Sequence, residues 1–339
     1  MKKIGYGQLF AVLLLIKLFG FICSKSAYSI EQMAGVFIST IAQAIIVIPM
    51  LILCSSNRVN LKKDVPLGKF GLAIYAIFFL LWGASSFVKL WDVTGNISLP
   101  IKNKIFAAFL IALVCLYASR LGLKVLARSA VIVLGLLALA LAIMFIGAYS
   151  KIDILNLVKN ENSDSIWKYA LNDFCESGEL VALLVLLNFT QNNLKKAVFS
   201  FLTAKLVIIQ FVSFIGISVT GHLMQLIEFP FFEIGAYTQP FSTQRADSVY
   251  TVLFAFLCII NITVQIILAS ILIEEIFPKF KFNELTSIIS MLIISVIINS
   301  SKMNFNLIWG GLIILLSVIS PIIMHARRKI NAEIQETQA

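Results

Sequence analysis

Ten apolar segments make up most of this 339-residue chain, and short polar connections separate them. They cover approximately residues 4–22, 33–54, 70–90, 105–119, 129–149, 178–190, 198–223, 248–273, 285–300 and 306–325. A transmembrane helix needs about 20 mainly apolar residues, and the fourth, sixth and ninth segments fall short of that length. The pattern predicts an all-α integral membrane protein with ten transmembrane helices.

Charge is scarce in this chain. Only 13% of the residues are charged, against about 25% in a soluble domain, which excludes a soluble enzyme, a nucleic-acid-binding protein and a disordered scaffold. The sequence contains no nucleotide-binding glycine-rich loop and no nucleophile elbow. Its two histidines and scattered cysteines do not suggest a metal site. We therefore expect neither catalysis nor a bound cofactor.

The basic residues predict an orientation. Sixteen Lys and Arg residues fall in one set of alternating connections, which includes both termini, and eight fall in the opposite set. Because basic connections face the cytoplasm, both termini are predicted to be cytoplasmic, including a short tail of residues 326–339. On the other side, residues 150–177 are predicted to form an outward loop. The apolar, aromatic connection of residues 224–247 is predicted to lie on, or dip into, the membrane edge.

Polar and ionisable side chains inside the predicted spans are the candidates for function, since a charge at mid-helix costs about 2.5–3.5 kcal/mol on insertion scales. Lys17 and Lys205 have long stems that can carry their ammonium groups to the lipid headgroups. Asn261 and Gln265 can serve a ligand or form hydrogen bonds between helices. Glu179 has no long stem, and we predict a functional role for it.

Ten spans with both ends on one side divide into five plus five. This is the layout of the LeuT-like inverted-repeat transporters, in which the first and sixth helices are broken near the midplane. We predict one transmembrane domain with a first repeat at about residues 1–150 and a second at about 174–328. Gly20 in span one and Gly178 in span six are the predicted breaks. Lys17 and Glu179 are predicted to approach each other across a cavity between spans one, six and eight, with span three beside it.

Three short motifs occur in a characteristic order along the chain. Gln8 begins a span that reaches a glycine-containing stretch at residues 18–22, and residues 174–179 read Phe-Cys-Glu-Ser-Gly-Glu. The third motif is Glu-Phe-Pro at residues 228–230, followed by Gln-Arg-Ala-Asp at residues 244–247. In these motifs, their spacing and the span count, the sequence resembles the spore germination receptor B-subunit family, a branch of the amino acid–polyamine–organocation superfamily. It departs from that family at Leu18, where a glycine is usual, at Phe254, where we expect tryptophan, and at Gly235, where a basic residue is missing.

The resemblance implies a subunit of the spore inner membrane that binds a small germinant, most simply an amino acid, and signals to A-type and lipoprotein C-type partner subunits. The predicted ligand-binding residues are Lys17, Gly20, Gly178, Glu179, Asn261 and Gln265; the predicted gating residues are Phe229, Pro230, Arg245 and Asp247. Two alternatives stay open. The chain can be a secondary transporter of amino acids or amines driven by an ion gradient, or a structural membrane subunit without a ligand.

Overall fold

The computed structural model describes residues 3–25, 28–56, 65–96, 104–157, 164–190, 193–238, 247–301 and 306–327, and within these ranges the chain is helical and forms no strand. The α-helices are α1 (Tyr6–Ile22), α2 (Ile30–Ser56), α3 (Lys69–Asn96), α4 (Lys104–Leu121), α5 (Leu123–Ala148), α6 (Ile166–Cys175), α7 (Glu179–Leu186), α8 (Leu194–Thr220), α9 (Pro230–Tyr237), α10 (Asp247–Ile276), α11 (Asn283–Ser301) and α12 (Asn306–Ile314). The last helix continues through a π-helical turn, Leu315–Ile319, to Arg327.

Every one of the ten predicted spans contains a helix. Seven of them, α2, α3, α5, α8, α10, α11 and α12, are long and apolar enough to cross a membrane, judged by length and composition. The helices α1 and α4 are apolar but shorter, and α7 has eight residues. The all-helical architecture fits an all-α membrane protein.

Much of the outer surface of the bundle is apolar. Large aliphatic side chains point outward along several helices, among them Ile45 on α2, Ile132 on α5 and Ile293 on α11, each more than half exposed. Extended apolar surfaces of this kind mark contact with lipid or with another protein. The outer faces of the long helices are therefore suited to a lipid environment.

The first helix lies at the centre of the bundle. Residues 11–19 of α1 are all buried, and the helix packs against α5, α8 and α10. It runs without interruption past Lys17 and Gly20 to Ile22, so the predicted break in the first helix is wrong. A glycine costs an isolated helix only about 1 kcal/mol relative to alanine, and packing on several sides outweighs that cost here.

The sixth segment is interrupted. Two short helices, α6 and α7, are separated by Glu176, Ser177 and Gly178, so the break predicted at Gly178 is present. An added Cβ at Gly178 would lie 2.4 Å from Cε2 of Trp82, which is too close for any residue but glycine. The close approach of the break to α3 therefore depends on this glycine.

The predicted outward loop of residues 150–177 is wrong in its second half, because Ile166–Cys175 form α6. Ser165 caps this helix by accepting a hydrogen bond from the backbone N–H of Lys168. Tyr169, Ala170, Phe174 and Cys175 are buried, and the helix packs on α2. Their helical spacing defines one apolar face, which several charged neighbours obscure in the sequence.

The aromatic connection after α8 packs one face against the bundle, whereas Glu228, Glu233 and Tyr237 are exposed; its predicted position at the membrane edge stays a prediction. Phe229 is buried, and Pro230 occupies the first turn of α9, where its missing N–H is not needed. Phe231, Phe232 and Ile234 are buried, and α9 packs on α8 and α10. Residues 239–246, including the predicted gating residue Arg245, lie outside the described ranges.

Candidate functional site

Three charged side chains meet in the interior of the bundle. Asp173 of α6 uses one carboxylate oxygen for each of two lysines: Oδ1 lies 2.9 Å from Nζ of Lys17, and Oδ2 lies 2.9 Å from Nζ of Lys205. The lysine side chains are 2% and 0% exposed, and that of Asp173 is 10% exposed. These lysines do not extend to the headgroups, so that interpretation of Lys17 and Lys205 is wrong.

Uncharged side chains complete this network. Oδ2 of Asp173 also accepts hydrogen bonds from Ser39 Oγ (2.7 Å) and Gln43 Nε2 (3.2 Å), both on α2. Gln43 in turn accepts a hydrogen bond from Lys205 through Oε1 (2.8 Å). Ser177 Oγ accepts hydrogen bonds from Lys17 (3.2 Å) and from Gln43 (2.7 Å). The network joins α1, α2, α8 and the broken sixth segment at one point.

Such a network is expensive to bury. Desolvation of an ion costs several kcal/mol, and removing one partner of a buried pair leaves the other uncompensated. The hydrogen bonds to Asp173 and those made by both lysines offset part of this desolvation cost. Buried ionisable groups in membrane proteins usually face a partner, a cavity or an ion pathway.

Glu179 lies beside this network but does not join it. Its side chain is 1% exposed, and neither carboxylate oxygen has a hydrogen-bond partner among the described residues. Lys17 forms its ion pair with Asp173 and not with Glu179. Asp173 and Ser177 are four residues apart and meet the Lys17 ammonium together. Glu179 is close enough to Lys17 and Lys205 for an ionised carboxylate to act on both ammonium groups.

A small cavity lies next to the break in the sixth segment. Its volume is about 50 Å³, and it is lined by residues of α1, α3, α6, α10 and α12 together with Glu176 of the break. It therefore lies between spans one, three and eight, where the sequence analysis predicts a cavity. The wall expected from span six comes instead from Cys175 and Glu176, which precede that span, and span ten adds a further wall. Gly20 and Asn261, two of the predicted ligand-binding residues, line it.

The polar groups of the cavity are few. Nζ of Lys89 lies 3.0 Å from Oε1 of Glu176, and these two side chains are 27% and 29% exposed. Asn261, which is 1% exposed, donates a hydrogen bond from Nδ2 to Ser86 Oγ (2.8 Å). Its Oδ1 has no partner within the described part of the chain. A buried amide oxygen without a donor calls for a water or a ligand.

Aromatic rings form the remaining wall. Trp82 and Trp309 meet edge to face with their ring centroids 5.0 Å apart. Phe19 of the cavity stacks on Phe254 (5.9 Å), which contacts Phe232 of α9 (5.5 Å). Phe232, Phe254 and Phe19 therefore form a continuous series of ring contacts that links α9 to the cavity.

The seven residues 173–179 serve both parts of the site. Cys175 and Glu176 line the cavity, and Gly178 packs against its Trp82. Asp173 and Ser177 belong to the charged network. A movement of this short segment would therefore change the cavity and the network together.

A second group of charges lies nearer the surface. Nζ of Lys25 lies 2.9 Å from Glu228 and 3.3 Å from Asp92, and it stands 5.3 Å from the ring centroid of Phe229. Burial acts to lower the pKa of Lys25, but the hydrogen bond to Glu228 and the charge of Asp92 outweigh it and leave the pKa raised. All three charged side chains are more than 40% exposed, so this cluster adds little stability.

The predicted residues are thus divided between several environments. Gly20 and Asn261 line the cavity, Gly178 supports it, Lys17 lies in the network, and Glu179 is buried beside it. Gln265 is buried, and its amide has no partner among the residues that the structure describes. Phe229 lies under Lys25, and Pro230 begins α9. Asp247 begins α10, and its side chain is outside the described part, as is Arg245.

Sequence reasoning missed Asp173, Lys89 and Glu176 as site residues. Asp173 and Glu176 fall in a stretch rich in charge that we interpret as a loop, and Lys89 stands near the end of a span. Within the described ranges, no group of three His, Cys, Asp or Glu side chains is arranged to hold a metal ion.

No protein-family model matches the sequence, and no curated protein is significantly similar to it. The resemblance to spore germination receptor B subunits therefore depends on the motifs themselves, and the function that it implies is a proposal.

Proposed function

We propose that this chain is a membrane receptor subunit that binds a small solute in the cavity beside Glu176, and that it serves as the germinant-binding B-type subunit of a spore germination receptor. The observation that carries the proposal is the cavity itself. It adjoins a helix break, it is lined by Asn261, whose buried amide oxygen has no partner among the described residues, and it holds a charged pair. The solute we propose is an amino acid.

The proposed fold is a five-plus-five inverted repeat of ten membrane-spanning helices, with both termini in the cytoplasm. It is supported by the helices found at all ten predicted positions and by the interruption of the sixth segment at residues 176–178. The uninterrupted α1 is a departure from this layout. Of the two predicted helix breaks, only the one in the sixth segment is present, so we propose that this segment is the part of the site that moves.

Signalling requires that the solute bind one conformation more tightly than another, because equal affinity for both would shift nothing. The segment of residues 173–179 provides a physical route. A solute in contact with Glu176 would favour one position of this segment, and the position of Asp173 and Ser177 would follow. We propose that partner subunits of A type and lipoprotein C type detect this change.

A second candidate function is gradient-driven transport of amino acids or amines. The observation that favours it is the buried set Lys17, Asp173, Lys205 and Glu179. Ionisable residues in contact inside a membrane are typical of proton and ion pathways. A transporter and a receptor of this fold would use the same cavity.

Reconstitution into liposomes separates these functions. We expect a radiolabelled amino acid to bind to the protein in proteoliposomes without net accumulation, whether or not a proton or sodium gradient is applied. Accumulation that collapses when the gradient is dissipated would establish the transporter instead. Absence of binding for all twenty amino acids and for the corresponding amines would contradict both and leave a structural subunit without a ligand.

A further inference from the structure

We infer that Lys89 and Glu176 bind the two charged groups of a small zwitterion, and that the cavity accepts α-amino acids of about the size of glycine or alanine. This inference rests on the proposed function, because it names the solute class and the residues that would select it. The first observation that supports it is the position of the pair. Both side chains line the same cavity, and Nζ of Lys89 lies 3.0 Å from Oε1 of Glu176.

The continuity of α1 limits the backbone groups that this helix can offer to a ligand. A helix that unwinds beside a ligand offers free backbone N–H and C=O groups to the ligand's carboxylate and ammonium. In this protein α1 is helical from Tyr6 to Ile22, so the N–H groups next to Gly20 are engaged within the helix and are not free to meet a carboxylate. The side chains that line the cavity are therefore the groups of opposite charge that can meet the carboxylate and the ammonium of a ligand.

The cavity offers one side chain of each charge. An ammonium can donate hydrogen bonds to Glu176, and a carboxylate can accept them from Lys89, as charge-assisted bonds of the stronger kind. Asn261 also lines the cavity, and its unpartnered Oδ1 is able to accept a hydrogen bond from a donor that reaches it. A zwitterion that enters between Lys89 and Glu176 would exchange one ion pair for two.

The remaining walls limit the size of the ligand. A water molecule needs about 10–15 Å³ by the measure that gives this cavity about 50 Å³, so the space holds about three to five water-sized groups, which suits a small amino acid. Trp82 and Trp309 close one side, and an aromatic face also attracts an ammonium. Large side chains are excluded unless the tryptophans move.

Four probes test this inference on the purified full-length protein by calorimetric titration. They are L-alanine, ethylamine (which lacks the carboxylate), propionate (which lacks the ammonium) and L-tryptophan. We expect alanine to bind at least about tenfold more tightly than the other three, because each of them loses a charge-assisted contact or does not fit. A wild-type protein that binds ethylamine or propionate as tightly as alanine would overturn the inference without any variant.

Two variants assign the roles of the residues. Glu176→Gln should weaken alanine binding by about tenfold or more but should not weaken propionate binding, because propionate has no ammonium for Glu176 to hold and Glu176 no longer competes for Lys89. Lys89→Gln should likewise weaken alanine binding but not ethylamine binding. A residue with only a structural role would weaken all probes together. Lys25→Gln, which removes an exposed cation outside the cavity, is the matched control and should leave all four affinities unchanged.

The outcomes separate this inference from the proposed function. If alanine or another solute binds and its affinity is the same in Glu176→Gln and Lys89→Gln as in wild type, the pair is not the binding site, although the receptor proposal stands. If no amino acid binds to the wild-type protein, both fail.

Discussion

Asp173 holds Lys17 and Lys205 with separate carboxylate oxygens, each at 2.9 Å. The two lysines belong to α1 and α8, and Asp173 to α6, so a single carboxylate joins three helices in the interior of the bundle. This arrangement places two buried ion pairs within three residues of Glu176, the acidic side chain of the cavity.

Replacing Asp173 should cost more stability than any other single polar change in the site. Asp173→Asn keeps the shape of the side chain but leaves two buried ammonium groups without an anion, and breaking a buried pair costs about 3–5 kcal/mol. Thermal unfolding of the protein in detergent would measure the loss. The matched control is Asp164→Asn, which removes an exposed ion pair with Lys168 and should cost about 1 kcal/mol or less. Equal melting temperatures for the two variants would contradict the structure of the network.

Glu179 should supply the second negative charge of this region. Without it, Lys17 and Lys205 face the single anion Asp173. Glu179→Gln and Lys205→Met should each destabilise the protein, and the double variant should be more stable than the sum predicts, because it restores the balance of charge. Residues that interact in one network show coupling energies of about 0.5–3 kcal/mol. A double-mutant cycle of unfolding free energies would measure the coupling between Glu179 and Lys205.

The control for that cycle is Glu275, a partly exposed carboxylate near the end of α10. Glu275→Gln should have little effect alone and should add to Lys205→Met within about 0.5 kcal/mol. If Glu179→Gln is also additive with Lys205→Met, Glu179 does not compensate the lysine charge. For function, we expect Glu179→Ala to impair the response to a solute far more than Glu275→Ala.

The glycine of the break should not tolerate a side chain. In Gly178→Ala, the new Cβ meets the Trp82 ring at 2.4 Å, and overpacking of this kind costs about 1–3 kcal/mol. Because Trp82 lines the cavity, solute binding should weaken as well. Gly135→Ala, on an exposed face of α5 with no atom within 4 Å of the new Cβ, should be neutral or stabilising by up to about 1 kcal/mol. A melting temperature of Gly178→Ala equal to that of Gly135→Ala would show that the break does not pack on α3 as described.

Hydropathy is sufficient to locate a helix in each of the ten spans, because apolar runs of about 20 residues leave a chain in lipid few alternatives to a helix. It misses α6 and α9, which are short and carry charged residues. The interruption at Gly178 is predicted by the inverted-repeat layout, in which the sixth helix is broken. The same reasoning failed at Gly20, where the packing of α1 on several neighbours keeps the helix intact.

The partners of the buried charges were not predictable from the sequence. The stems of Lys17 and Lys205 are long enough to reach the headgroups, and only the position of Asp173 on a helix that packs on α2 keeps them inside. That helix was hidden by charged neighbours on its exposed face. The pairing of Lys89 with Glu176 likewise depends on how α3 meets the break, which no local pattern encodes.

The occupancy of the cavity can be measured at one of its own residues. Ser85 lines the cavity and is partly exposed, so Ser85→Cys introduces a single thiol there in a background in which all five native cysteines, including Cys175 of the cavity wall, are replaced by alanine. The rate at which a small methanethiosulfonate labels this thiol is measured by mass spectrometry, with each of the twenty amino acids in turn. We predict that a small amino acid at ten times its dissociation constant slows labelling about tenfold, since only the free protein reacts. A labelling rate that none of the amino acids changes would contradict a ligand site in this cavity.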